Sequence, residues 1–262
     1  MARIAAVIAC GWLCAGGVAA AGPGQRTLEP GGVFRRRIVT SDGVPLALYR
    51  YQPAGGGHFA PPVLLIADVG FNREMFDLHG FGLAPWLRAR GRDVFVLEPR
   101  GHGASGVPEG WHLADIARRD LPAAVAAIHA ARGAADERID IVAHGFSGAL
   151  AIAAAAGPLA GDVGRVALLA TPAVPEVPNR FAQAVLEAGG SFSTLPLDPA
   201  GAAIFELLFA RHGRFSHGRL GELRRTALGD LSATAAHELL DWMRTGDLPL
   251  GGGDTVRGRL AV

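Results

Sequence analysis

Ser147 lies in the text Val142-Ala143-His144-Gly145-Phe146-Ser147-Gly148-Ala149, with small residues on both sides. A serine hydroxyl becomes a nucleophile for acyl transfer when a neighbouring base takes its proton and a third group orients that base. The chain has nine histidines to draw on. His102 belongs to the turn Arg100-Gly101-His102-Gly103, and His144 adjoins the serine segment. His212, His217 and His237 fall in the last quarter of the chain, while His58, His79, His112 and His129 read as surface or capping residues. No spacing among them singles out a base for Ser147. No His-x-x-x-His pair or Cys/His cluster has metal-ligand spacing, so no metal site is expected. No phosphate-cradling P-loop is present, and no G-x-G-x-x-G opens a helix, so no cofactor is expected either.

Composition narrows the remaining classes. Of 262 residues, 50% are hydrophobic and 19% charged, which excludes a disordered chain or a coiled coil and suits one large domain. The 25 basic residues, all Arg, nearly balance 24 acidic ones and are spread along the chain. That distribution gives no electrostatic footprint for nucleic acid or an anionic membrane. Arg3, an apolar run from Ile4 to Ala21 and the breaker Gly22-Pro23-Gly24 read as a secretory signal peptide over residues 1–21. An exported protein, periplasmic or secreted, is therefore expected. The alternative is an uncleaved membrane anchor, for which the run is marginally long. Cleavage after Ala21 would remove Cys10 and Cys14, leaving a mature chain without thiol chemistry.

The elements that must position the site follow from hydrophobic periodicity. Arg36–Thr40 and Pro45–Tyr51, joined by Ser41-Asp42-Gly43, read as a hairpin. Pro62–Ile66, Asp93–Leu97, Arg138–Val142 and Val166–Leu169 are short apolar runs suited to strands buried on both faces. Between them, Met75–Arg90, His112–Ala131 and Gly148–Ala156 read as helices, with Asp120 as cap of a fresh turn at Pro122. This alternation predicts an α/β fold with a mostly parallel sheet of six strands, entered through an antiparallel hairpin. After Pro172 only helical patterns follow: Arg180–Ala188, Ala202–Arg211, Leu220–Leu228 and Thr234–Arg244. The domain reading is a core over 33–172, a helical lid over 173–246 and a run-up to an absent strand over 247–262.

This arrangement resembles the α/β-hydrolase superfamily, in particular lipases, esterases and the polyhydroxyalkanoate synthase and depolymerase branch. The resemblance is carried by Phe71-Asn72-Arg73 with Phe76-Asp77, Leu87–Asp93, Arg100-Gly101-His102-Gly103-Ala104-Ser105, Asp120–Ala124 and Arg138–Ala151. It implies a nucleophile on a sharp strand-to-helix turn flanked by small residues. Aligned without gaps to the family text G-H-S-x-G-G, Ala143 takes the first Gly, His144 the His, and Gly145 falls on the nucleophile, with Ser147 two positions on. In a second frame, Gly145-Phe146-Ser147-Gly148-Ala149 reads as G-x-S-x-A with Ser147 as nucleophile. The first frame is preferred, because the second sets His144 in or at the end of a buried strand.

The resemblance also implies His-Gly in the oxyanion loop, where this chain has Ala67-Asp68-Val69-Gly70. An aspartate there is expected to repel an oxyanion unless it is protonated or turned away. The acid and base of the triad are expected on strands after the lid, beyond the last residue of this sequence. The sequence therefore predicts an α/β-hydrolase-fold protein impaired in catalysis and binding an apolar or acyl small molecule. The alternatives are an active carboxylic ester hydrolase using Ser147, or a truncated product of a longer hydrolase. The strand at Val166–Leu169 is expected as an open apolar edge and a route to self-association.

Overall fold

The computed structural model describes residues 26–54, 60–172, 187, 221–222, 225–229 and 231–260. Residues 1–21, most of the expected lid, His58, His212 and His217 lie outside the described residues. No helix among the described residues is long and apolar enough to cross a membrane.

Seven strands form the main sheet: β1 (Arg26–Glu29), β2 (Val33–Val39), β3 (Pro45–Tyr51), β4 (Val63–Ile66), β5 (Val94–Glu98), β6 (Ile139–His144) and β7 (Val163–Leu169). Their order is β1-β2-β3-β5-β4-β6-β7. Pairing is antiparallel from β1 to β5 and parallel from β5 to β7. The strand β1, absent from the six-strand expectation, is a polar four-residue edge strand, and its Arg-Thr-Leu-Glu text carries too little alternation to signal one. At the opposite end, β7 pairs with β6 alone among the described residues, and Leu168 and Leu169 are 42% and 39% exposed.

Each central strand divides its side chains between two cores, as a period of two requires. Leu64, Ile66, Phe95, Leu97, Ile141 and Ala143 face one core. Val63, Leu65, Val94 and Val96 face the other, with Ala84 of helix α1 (Leu83–Ala89). The first core takes α2 (Leu113–Asp115), a π-helical turn (Ile116–Asp120), α3 (Leu121–Arg132) and α4 (Gly145–Ala155).

The sequence expectation errs at two helices. The helix expected over Met75–Arg90 begins only at Leu83, since Gly80 and Gly82 have positive φ and a Cβ at Gly82 would collide with the Phe76 carbonyl. Asp120 is not an N-cap. Its backbone is helical with φ −71° and ψ −48°, the π turn runs straight into α3, and its carboxylate turns to Arg100 instead.

Beyond the parallel strands, helix α5 (Ala233–Thr245) starts at Ser232, whose hydroxyl accepts the Ala235 N–H, and stops at Gly246 with φ 75°. Ala235, Ala236, Leu239, Leu240 and Trp242 join the first core, so this part of the expected lid packs as a core helix. Glu238 ties it to α2 by accepting the Leu113 N–H at 2.8 Å. Residues 249–255 form a two-stranded hairpin, β8 (Pro249–Gly251) and β9 (Asp254–Thr255). The short helix α6 (Val256–Leu260) follows, and Arg259 donates to the Ala153 carbonyl of α4.

Candidate functional site

The sheet order places a crevice before any side chain is considered. From β4 the chain passes to β5 on one side and then to β6 on the other, so the loops leaving β4 and β6 diverge at their carboxyl ends. Such a switch point is where open α/β sheets bind ligands. Ile66 and Ala143 are register partners at the ends of these strands, which brings the loop Ala67-Asp68-Val69-Gly70 against the turn His144-Gly145-Phe146.

The turn is as tight as its composition allows. Ala143 is buried, His144 is the extended residue before α4, and Gly145 opens the helix with φ 54°. That φ lies in the left-handed region, which costs an L-residue about 1–2 kcal/mol and Gly almost nothing. Gly145 thus stands at the tip of the strand-to-helix turn. Ser147 lies within the first turn of α4, 1% exposed, and its hydroxyl has no hydrogen-bond partner among the described residues. Gly148 is required by closeness, since a Cβ there would overlap the Thr171 hydroxyl.

Asp68 completes the arrangement in a way its sequence position did not suggest. A Cβ added to Gly145 would land on the Asp68 carboxylate, so this carboxylate occupies the volume a side chain at the turn tip would need. Its Oδ1 accepts the Phe146 N–H at 2.7 Å and the Val69 N–H at 2.8 Å. Those are the residue after the turn tip and a residue of the β4 loop, the two positions from which an oxyanion hole is built. The aspartate is not turned away: it points inward and its carboxylate takes the place of the anion. The positive end of α4 favours a negative group at this point. Asp68 Oδ2 faces His144 Nδ1 at 3.7 Å, beyond hydrogen-bond distance, and that nitrogen is buried with no hydrogen-bond partner among the described residues.

The supporting shell was largely invisible in the sequence. Gly70, with φ 87°, donates its N–H to His102 Nε2 at 2.8 Å, and His102 Nδ1 lies 2.7 Å from the Arg100 carbonyl. With Nε2 accepting, the proton resides on Nδ1, and burial pushes the ring's pKa down, keeping it neutral. Both ring nitrogens of His102 are thus engaged in holding the loop. The loop's far side is clasped by residues 226–229: Asn72 N–H donates to Ala227 O, Asn72 Nδ2 to Thr226 O, and Gly229 N–H to Gly70 O.

Glu98, at the end of β5, accepts from Arg73 N–H, Ala104 N–H and Tyr49 Oη, and burial pushes its carboxyl up. An acidic residue ending an apolar strand was the available signal for that role. Phe146 packs its ring edge-on to Trp242 of α5, with centroids 5.4 Å apart. In a separate cavity of about 550 Å³, near Tyr51, Arg73 and Arg88, Arg73 contacts Glu74 at 3.0 Å and Asp77 at 3.5 Å. Among the described residues, no group of three or more His, Cys, Asp or Glu is arranged to hold a metal.

No family model matches the chain, and no curated protein matches its sequence. Solved structures do match by shape. E-2-(acetamidomethylene)succinate hydrolase is 19% identical with a TM-score of 0.53, over 79% of this chain and 74% of its own. An α/β-hydrolase-fold protein from Burkholderia ambifaria is 18% identical with a TM-score of 0.50, over 87% and 77%. A putative aryl esterase from Burkholderia cenocepacia is 19% identical with a TM-score of 0.53, over 77% and 71%. Of DcsB, solved with its substrate analogue, the chain spans 49%. At these identities the likeness is one of fold: the protein has the α/β-hydrolase fold.

Proposed function

We propose that this protein is an exported, non-hydrolytic member of the α/β-hydrolase fold that holds an apolar small molecule in the crevice above the β6–α4 turn. One observation carries the reading: the turn tip is Gly145 at φ 54°, and the Asp68 carboxylate lies where a nucleophile's side chain would be. A serine enzyme needs a hydroxyl at that tip, a base beside it and two free N–H donors for the oxyanion. Gly145 supplies no hydroxyl, and both donors are engaged by Asp68. Ser147 has a buried hydroxyl with no base hydrogen-bonded to it among the described residues, which weighs against its use as nucleophile. Export rests on the signal-like text from Arg3 to Ala21.

The test is labelling with a serine-directed fluorophosphonate, together with hydrolysis of a p-nitrophenyl ester. The expected result is no label on Ser147 and a turnover equal in the wild type and Ser147→Ala. Label or turnover that disappears in Ser147→Ala would establish the enzyme and overturn the reading.

A further inference from the structure

We infer that Asp68 inverts the hydrogen-bonding character of the crevice, so that its ligand carries a donor head, a primary ammonium or hydroxyl, on an apolar body. The inference rests on the non-hydrolytic reading above and names the ligand class for the same site.

Two backbone N–H groups converge at the carboxyl ends of β4 and β6, and both donate to Asp68 Oδ1, at 2.7 and 2.8 Å. A ligand presenting a carbonyl or carboxylate would need these same donors, and would have to displace a carboxylate tethered beside them. It would also bring its negative end against the Asp68 charge. Acceptor heads are disfavoured on both counts.

The second carboxylate oxygen is in the opposite situation. An ionised carboxylate accepts at about four lone-pair sites, and Oδ1 uses its share on the backbone. Oδ2 has His144 Nδ1 as a neighbour at 3.7 Å and no hydrogen bond among the described residues. The Asp68 side chain keeps 17% of its surface exposed, so Oδ2 is reachable. His144 Nδ1, which has no hydrogen-bond partner among the described residues, faces the same oxygen. A head group with hydrogens to donate would satisfy Oδ2, and an ammonium would also neutralise its charge. Beside it, the partly buried ring of Phe146, backed by Trp242, offers an apolar wall.

The experiment compares n-hexylamine with hexanoate, two probes of equal apolar length and opposite head, by ligand-observed NMR titration of the full chain. The wild type is expected to bind hexylamine about tenfold more tightly, the discrimination of one charge-assisted hydrogen bond. Asp68→Ala, which frees both N–H donors, should lose that preference and gain affinity for hexanoate. Asp68→Asn keeps the shape without the charge and should lose the hexylamine preference even if Asp68→Ala does not fold. Equal affinities, a wild-type preference for hexanoate, binding of neither probe, or an unchanged preference in a folded Asp68 variant would each overturn the inference. Failure of the non-hydrolytic reading is seen separately, as phosphonate labelling of Ser147 with the amine preference intact.

Discussion

Gly145 and Asp68 compete for one volume, and that exclusivity can be measured. A side chain at Gly145 would pay about 1–2 kcal/mol for a left-handed backbone and would also drive the Asp68 carboxylate off two N–H groups. Hydrogen bonds to a charged group contribute about 1.5–3 kcal/mol each. Gly145→Ser is therefore expected to destabilise the protein by about 4 kcal/mol or more in urea unfolding, the low end of these contributions together. Asp68→Gly, which empties the space, should make Gly145→Ser markedly less costly in the double variant, with a coupling of about 0.5–3 kcal/mol. Strict additivity would show that the two positions do not share space. The aligned text offered Gly145 for the turn tip in one frame and Ser147 in the other. The inward aspartate was not, because a residue's own position says nothing about which N–H groups the neighbouring strand will bring to it.

The elements around the site are joined by buried charge. Arg100, 1% exposed, leaves the end of β5 and meets Asp120 in the π turn and Asp42 in the β2–β3 turn. Burial opposes its charge, but the hydrogen bonds to Asp42 and Asp120 outweigh it and raise the guanidinium's pKa further. The Arg100 hydrogen bond in turn holds the Asp42 carboxyl well below the usual carboxylate range. Asp120 is fully buried, so removing its cation strands a charge. Arg100→Met is expected to cost about 3–5 kcal/mol, read by thermal or urea denaturation. Arg100→Met with Asp120→Leu should recover much of the loss; a neutral single variant would refute the clamp. The sequence reading had Asp120 as a helix cap because Asp before Leu-Pro is a strong local signal. Tertiary pairing with an arginine twenty positions earlier overrode it. The shortened helix before β5 has a similar cause, as Gly82 is needed where the chain passes against the Phe76 carbonyl.

At the scale of the molecule, the sheet ends in two unlike edges. The β1 edge is short and polar, whereas β7 presents Leu168 and Leu169 to the surface and pairs on one side only among the described residues. Apolar edges of this kind pair with further strands. We therefore expect concentration-dependent self-association in sedimentation velocity, weakened by Leu169→Lys; a monomer at all concentrations would count against β7 as a contact surface. By itself the sequence determined the alternation of strands and helices, the parallel centre and a tight turn of small residues with two frames for its tip. These are local properties of periodicity, residue size and backbone freedom, readable a few residues at a time. Only the tertiary structure decided that β1 joins the sheet, that α5 packs into the core and that Asp68 fills the paired N–H site of its neighbour. The Asp68–Phe146 bond joins residues 78 positions apart and the Glu238–Leu113 tie joins residues 125 apart, β1 is too short to show a period, and it is the register of β4 beside β6 that brings the first pair within hydrogen-bond distance.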